Sequence, residues 1–294
     1  MAGRFGSVIT AMVTPFRDDY SLDLEGAQDL ARYLLESGSD GLVVAGTTGE
    51  GPTLSHDEKD RLFHAVIEAA EGLGTVICNT GTYNTEESIG LTRMAEEAGA
   101  DAVLVVTPYY NRPPQRGLVA HFTKVADCTE LPLMLYNIPS RTCCVIEPDT
   151  LLRLAEVENI VAVKDATSDF QAATRIVRES PPDFEVYSGD DASTFSYVCL
   201  GGVGVVAVAS HLAGERMREM IELADGGDVP AARKIHEDLG PLFKAMGVTT
   251  NPIPVKAALE IAGRPAGPPR LPLVPATLEE RQAIERAMSE VGVL

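Results

Sequence analysis

Lys164 follows the apolar run Ile160-Val161-Ala162-Val163 and precedes Asp165-Ala166-Thr167-Ser168, after which a helical pattern resumes at Phe170. The segment reads as a buried strand that ends in an amine and leads through a short loop into a helix. Burial disfavours an ammonium ion, so an amine placed there can be free near neutral pH. A free amine can attack a keto group, and the resulting Schiff base is an electron sink that needs no metal. The competing reading is a lysine that snorkels to the surface or pairs with Asp165.

Polar residues that follow the other apolar runs supply what such an amine needs. They include Gly46-Thr47-Thr48-Gly49-Glu50, Thr107-Pro108-Tyr109-Tyr110-Asn111, Tyr136-Asn137-Ile138-Pro139-Ser140-Arg141-Thr142 and Ser188-Gly189-Asp190-Asp191. Tyr136 is a candidate general acid/base. Thr47 and Thr48, in a glycine-flanked turn with free N–H groups, can bind one carboxylate. Arg141 can clamp a second in a bidentate fork. Each also has a structural reading: a plain turn for Gly-Thr-Thr-Gly, a core tyrosine with its hydroxyl at the rim, and a surface pair between Arg141 and Glu147. His211 is the one histidine that falls at such a position, and no His and carboxylate cluster is spaced to hold a catalytic metal.

The elements that must position these groups are visible as an alternation. Short apolar runs occur at Val8–Val13, Gly41–Ala45, Val76–Cys78, Ala102–Val106, Leu133–Tyr136, Ile160–Val163, Phe184–Tyr187 and Val203–Ala209. Helical patterns separate them, such as Leu24, Ala27, Leu30, Ala31, Leu34 and Leu35, or Leu62, Phe63, Val66, Ile67 and Ala70. Ser55 with Glu58 makes a capping box, and Gly38, Gly72 and Gly99 follow helical stretches. Near-continuously apolar strands, each followed by a helix, imply parallel pairing with both faces covered. The pattern predicts an α/β fold, a (β/α)8 TIM barrel over residues 1–227, with strand ends converging on one rim. A doubly wound open sheet is the rival, but the first run leads into Thr14-Pro15-Phe16 rather than a glycine-rich phosphate loop.

Residues 228–294 read as a small C-terminal α-helical domain. Ala232, Ile235, Leu239, Leu242, Phe243 and Met246 form one face, and Val255, Ala258, Leu259 and Ala262 a second. A proline-rich connector, Arg264–Pro275, precedes a last helix opened by the capping box Thr277 and Glu280.

At 294 residues and 45% hydrophobic content the chain can bury a large core. Its formal charge of −19 argues against nucleic acid or an anionic membrane as partner, though a pocket can still be locally basic. Five cysteines, with no C-x-x-C, suit reduced thiols in a cytoplasmic protein better than a disulfide framework or a zinc site. Met1 to Ser7 lacks the apolar region of a secretory signal.

Together the four segments around Thr47, Tyr109, Tyr136 and Lys164 resemble the pyruvate-dependent class I aldolase (N-acetylneuraminate lyase) superfamily, and within it the dihydrodipicolinate synthase family. Ser188-Gly189-Asp190-Asp191 and Asn251-Pro252-Ile253-Pro254-Val255-Lys256 extend the likeness over nearly the whole chain. The resemblance implies a Schiff-base-forming lyase without a cofactor, in which Lys164 holds pyruvate and Tyr136 relays protons. It implies that Thr48 links Tyr136 to Tyr110 of a neighbouring subunit, and that Thr47 and Thr48 hold the pyruvate carboxylate. Arg141 would receive the carboxylate of L-aspartate 4-semialdehyde, and Gly189 and the backbone of Val206 would line the pocket. The implied product is 4-hydroxy-tetrahydrodipicolinate, on the diaminopimelate route to lysine, made by a homodimer or a homotetramer built as a dimer of dimers. The alternatives are a sibling lyase acting on N-acetylneuraminate or 2-keto-3-deoxy sugar acids, and a non-catalytic barrel that senses a keto acid. Arg141 favours a small substrate with its own carboxylate.

Two departures stand out. Relatives that bind lysine as feedback inhibitor use positions matching His56, Lys59, Tyr83, Glu87 and Tyr109, usually with Asn at Tyr83 and often His at Lys59. A bulky ring and a cation facing a cationic ligand imply weak or absent lysine inhibition. Cys143, beside the arginine, stands where relatives often have Gly.

Overall fold

The computed structural model describes residues 3–264 and 266–294. Met1, Ala2 and Pro265, which belong to the N-terminal stretch and the proline-rich connector, lie outside the described residues. Among the described residues, β1 (Val8–Ala11), β2 (Gly41–Val44), β3 (Thr75–Asn79), β4 (Ala102–Val106), β5 (Leu133–Asn137), β6 (Ile160–Asp165), β7 (Glu185–Ser188) and β8 (Gly204–Ala207) hydrogen-bond in sequence order into a closed barrel. Every pair is parallel, including the closing pair of β1 with β8. The barrel reading therefore holds and the open sheet does not. β3, β5, β6 and β7 run one or two residues past the apolar runs, through Asn79, Asn137, Asp165 and Ser188, because polar residues at the strand end still belong to the ladder, whereas β1, β2 and β8 stop one or two residues before their runs end.

The intervening helices are α1 (Leu24–Glu36), α2 (His56–Ala70), α3 (Thr85–Ala98), α4 (Gln115–Ala126), α5 (Pro139–Thr142), α6 (Pro148–Leu154), α7 (Phe170–Glu179), α8 (Thr194–Cys199) and α9 (Ser210–Asp225). The Ser55–Glu58 capping box opens α2 as expected, and α3 ends at Gly99 in the left-handed conformation. The pleat sorts side chains into two cores. Ile9, Val43, Ile77, Leu104, Met134, Ala162, Tyr187 and Val206 fill the barrel interior. Val8, Leu42, Val76, Val103, Leu135 and Val163 pack outward against the helices.

After β8 and α9 come α10 (Val229–Ala245), α11 (Ile253–Ile261) and α12 (Leu278–Val291). α10 packs on α9 and α12, and α12 on α11. The Thr277–Glu280 capping box opens α12. No helix among the described residues is long and apolar enough to cross a membrane.

Candidate active site

β5 and β6 pair in a register that sets Tyr136 opposite Lys164, and β6 and β7 set Lys164 opposite Tyr187. Parallel neighbours in register point to the same face, so these side chains meet inside the barrel. The Lys164 amine sits 4.2 Å from the centroid of the Tyr136 ring, and each residue is only 5% exposed. The snorkelling lysine is thereby excluded. Pairing with Asp165 is excluded by the pleat, since Asp165 faces outward and accepts hydrogen bonds from the Tyr197 hydroxyl at 2.8 Å and the Thr167 hydroxyl at 3.0 Å.

Burial lowers the Lys164 pKa to about 7; the buried Asp191 carboxylate opposes the shift and the Arg141 guanidinium adds to it. Half the amine is then free at neutral pH. Burial also pushes the Tyr136 phenol up to about 12, with Arg141 and a hydrogen bond to the Thr47 side chain acting the other way. Tyr136 thus stays protonated at neutral pH. Its carbonyl is held by the N–H of Thr107 at 2.9 Å and the Thr107 hydroxyl at 2.8 Å.

The Tyr136 phenol has the Thr47 side chain beside it, and the Thr48 hydroxyl accepts from the Asn251 amide at 2.9 Å. Adjacent residues of a tight turn point in different directions, and spacing alone cannot tell which of two threonines faces the tyrosine. Tyr110 is not near this group within the chain: it is 91% exposed, with φ of +69°.

Arg141 lies on α5, a single turn after β5. The loop behind it is fixed by Asn137, which donates to the carbonyl of Ile146 at 3.2 Å and accepts from its N–H at 3.0 Å. Arg141 Nη2 donates to the main-chain carbonyl of Asn251 at 3.2 Å. No ion pair joins it to Glu147 among the described residues, so the guanidinium keeps donors for a ligand. Cys143 caps α5 with φ of +52°, which explains why glycine suits this position: only glycine adopts that conformation without strain.

Thr47, Arg141 and Asn251 line a cavity of about 640 Å³ that also reaches His56, Lys59, Tyr83, Glu87 and Tyr109. Tyr136 and Lys164 are not part of that lining, and Tyr136 connects to it through Thr47. Gly189 donates to the carbonyl of Asp165 at 2.7 Å, and a Cβ on it would meet Ala166 at 2.8 Å, so the close approach of β7 to β6 needs glycine. Val206, 1% exposed, pairs with Ile9 in the barrel interior. His211 is structural, with Nε2 accepting from the Val13 N–H at 3.2 Å and Nδ1 donating to the Val208 carbonyl at 2.8 Å.

Two residues that the sequence places in motifs, without a role, gain one from the structure. Asp191, 9% exposed, accepts from the N–H groups of Val208 at 3.0 Å and Ala209 at 2.8 Å, and its carboxylate supports the charge on Lys164. Asn251 lies in the C-terminal segment, outside the βα alternation that directs attention to a barrel rim.

Residues 4–291 match the model of the dihydrodipicolinate synthetase family. A 4-hydroxy-tetrahydrodipicolinate synthase of Moorella thermoacetica is 53% identical over 291 residues, spanning 99% of this chain and 100% of the relative. The enzyme of that name from Bacillus subtilis is 49% identical over 288 residues, covering 98% and 99%. A crystal structure of the Cyanidioschyzon merolae dihydrodipicolinate synthase with lysine bound superposes with a TM-score of 0.98 at 45% identity, covering 99% of this chain and 100% of that one. The full-length match, the closed barrel and the buried Lys164–Tyr136 pair agree, and the chain belongs to the dihydrodipicolinate synthetase family.

Proposed function

We propose that this chain is a 4-hydroxy-tetrahydrodipicolinate synthase, a cytoplasmic lyase that condenses pyruvate with L-aspartate 4-semialdehyde on the diaminopimelate route to lysine. The observation that carries the reading is the buried Lys164 amine, poised near pKa 7 against the Tyr136 ring. Its Nζ adds to the keto carbon of pyruvate and water leaves, forming an iminium. Loss of a methyl proton gives the enamine, whose carbon bonds to the aldehyde carbon. The amino group of the aldehyde substrate then closes on the iminium carbon, and the bond to Lys164 breaks.

Tyr136, kept protonated by burial, hands protons to the developing oxygens and recovers them through Thr47. Thr47 and Thr48 hold the pyruvate carboxylate, Arg141 receives that of the aldehyde, and Gly189 and the backbone of Val206 shape the pocket wall. Tyr110 completes the relay in a partner subunit of a homodimer or homotetramer; its exposure outside its own pocket supports that assignment. Residues 1–227 form the catalytic barrel and 228–294 the helical domain.

Borohydride reduction with pyruvate, followed by peptide mass spectrometry, tests the core of this reading. A reduced pyruvate adduct on Lys164 is expected, and its absence would leave a binding protein. A panel of aldehydes assayed with pyruvate tests the second substrate; preference for a polyol aldehyde would replace the synthase by a sugar-acid lyase.

A further inference from the structure

The turn Gly46–Glu50 is gripped at two points by one short stretch of the C-terminal segment. At its middle, Asn251 Nδ2 donates to Thr48 Oγ1 at 2.9 Å, with Thr48 3% exposed. At its end, Glu50 takes the left-handed conformation, with φ of +53°, and its carboxylate meets the Lys256 ammonium at 2.7 Å. Side-chain exposures of 3% and 0% make this a buried pair. The main-chain N–H of Arg270 donates to the same carboxylate at 2.7 Å, and Lys256 also donates to the Pro268 carbonyl at 3.3 Å. Lys256 and Arg270 flank the Phe16 ring at 4.4 Å and 4.2 Å.

The stretch does more than fasten two domains. Arg141 Nη2 donates to the main-chain carbonyl of Asn251 at 3.2 Å, so one residue touches both carboxylate anchors, by its side chain on one side and its backbone on the other. The remaining carboxamide oxygen, Asn251 Oδ1, is buried without a hydrogen-bond partner among the described residues. A buried amide left half satisfied is disfavoured for stability, so its own hydrogen bonding does not account for asparagine here.

We propose that Asn251 is a positioning residue for the proposed condensation. The segment Asn251–Lys256 acts as a strut that holds the pyruvate-carboxylate turn at a fixed spacing from Arg141, and Asn251 is its adjustable contact. Lys256 with Glu50 fixes one end of the turn. Asn251 sets the rotamer of Thr48 within it. The inference rests on the assignment of Thr48 to the pyruvate carboxylate.

The two contacts of Asn251 separate under mutation. Asn251→Ala removes the bond to Thr48 but keeps the main-chain carbonyl that holds Arg141. The test measures the pyruvate concentration that half-saturates borohydride trapping on Lys164, for wild type, Asn251→Ala, Thr48→Val and the double variant, alongside KM for the aldehyde. Asn251→Ala is expected to raise the pyruvate half-saturation about tenfold while the aldehyde KM stays within about twofold. The double variant should bind pyruvate no worse than Thr48→Val alone, because Asn251 acts on pyruvate only through the Thr48 hydroxyl that this variant already lacks. Unchanged pyruvate binding, equal loss for both substrates, or additive losses in the double variant would each overturn the proposal. Thermal unfolding of each variant identifies any global loss of fold, and Asn251→Ser supplies a second, smaller truncation that must rank between wild type and alanine. A wild type that traps no pyruvate would sink the proposed function instead, so the two failures are distinguishable.

Discussion

The pH dependence of the proposed Schiff-base formation at Lys164 is the sharpest consequence of its burial. An ordinary lysine, with a pKa of 10.5, has roughly one free amine in 3,000 at pH 7, whereas the value of about 7 leaves half free. The barrel thus raises the nucleophile population roughly a thousandfold. Trapping at limiting pyruvate should rise about tenfold per pH unit below pH ~6 and level above pH ~8. Two variants resolve the causes. Arg141→Met removes a neighbouring cation and should move the midpoint up. Asp191→Asn removes the opposing carboxylate and should move it down. Asp191 itself titrates near 6, raised by burial, so the asparagine variant also removes any inflection it adds to the acid limb. A rate that keeps climbing tenfold per unit to pH ~10 would refute the argument, since it would mean an unshifted lysine. The same burial has a stability signature. Between pH 7 and 10.5 the unfolded chain holds a proton that the folded chain has lost, so this residue's contribution improves as pH rises through that window. Lys164→Met should abolish the adduct, flatten that slope and raise the unfolding midpoint at neutral pH.

Arg141→Ala should still form the pyruvate adduct at saturating pyruvate while lowering kcat/KM for aspartate semialdehyde by roughly a hundredfold, the loss expected of a charge-assisted fork; retention of the rate would remove the second-substrate assignment. Free lysine at ~10 mM should leave the rate within about twofold. Lys59, 7% exposed, already faces Glu87 with its own ammonium, and Tyr83 stands edge-on to Tyr109 at 5.2 Å. Strong inhibition at submillimolar lysine would contradict that reasoning. Lys256→Met strands a buried Glu50 carboxylate and should destabilise the fold by about 3–5 kcal/mol in denaturant unfolding. A change under ~1 kcal/mol would show that the pair is not buried as described.

By itself the sequence determined the barrel, its eight strands and the groups on its rim, because these depend on local rules. A strand buried on both faces must be apolar throughout, a helix must start with a cap and repeat every three to four residues, and polar residues at strand ends must gather at one end of a parallel barrel. Lys164, Tyr136 and Arg141 were legible for that reason. Tertiary structure alone decided what depends on direction and on distant chain. The pleat turned Lys164 inward and Asp165 outward, and register placed Tyr136 against the amine. The turn set Thr47 beside the phenol and Thr48 against Asn251. Asn251 reached the turn across 203 residues of sequence, and Lys256 closed a buried pair with Glu50 there. Periodicity specifies which face of an element is buried. It does not specify which side chains from separate elements meet, since that is settled by packing of the whole chain.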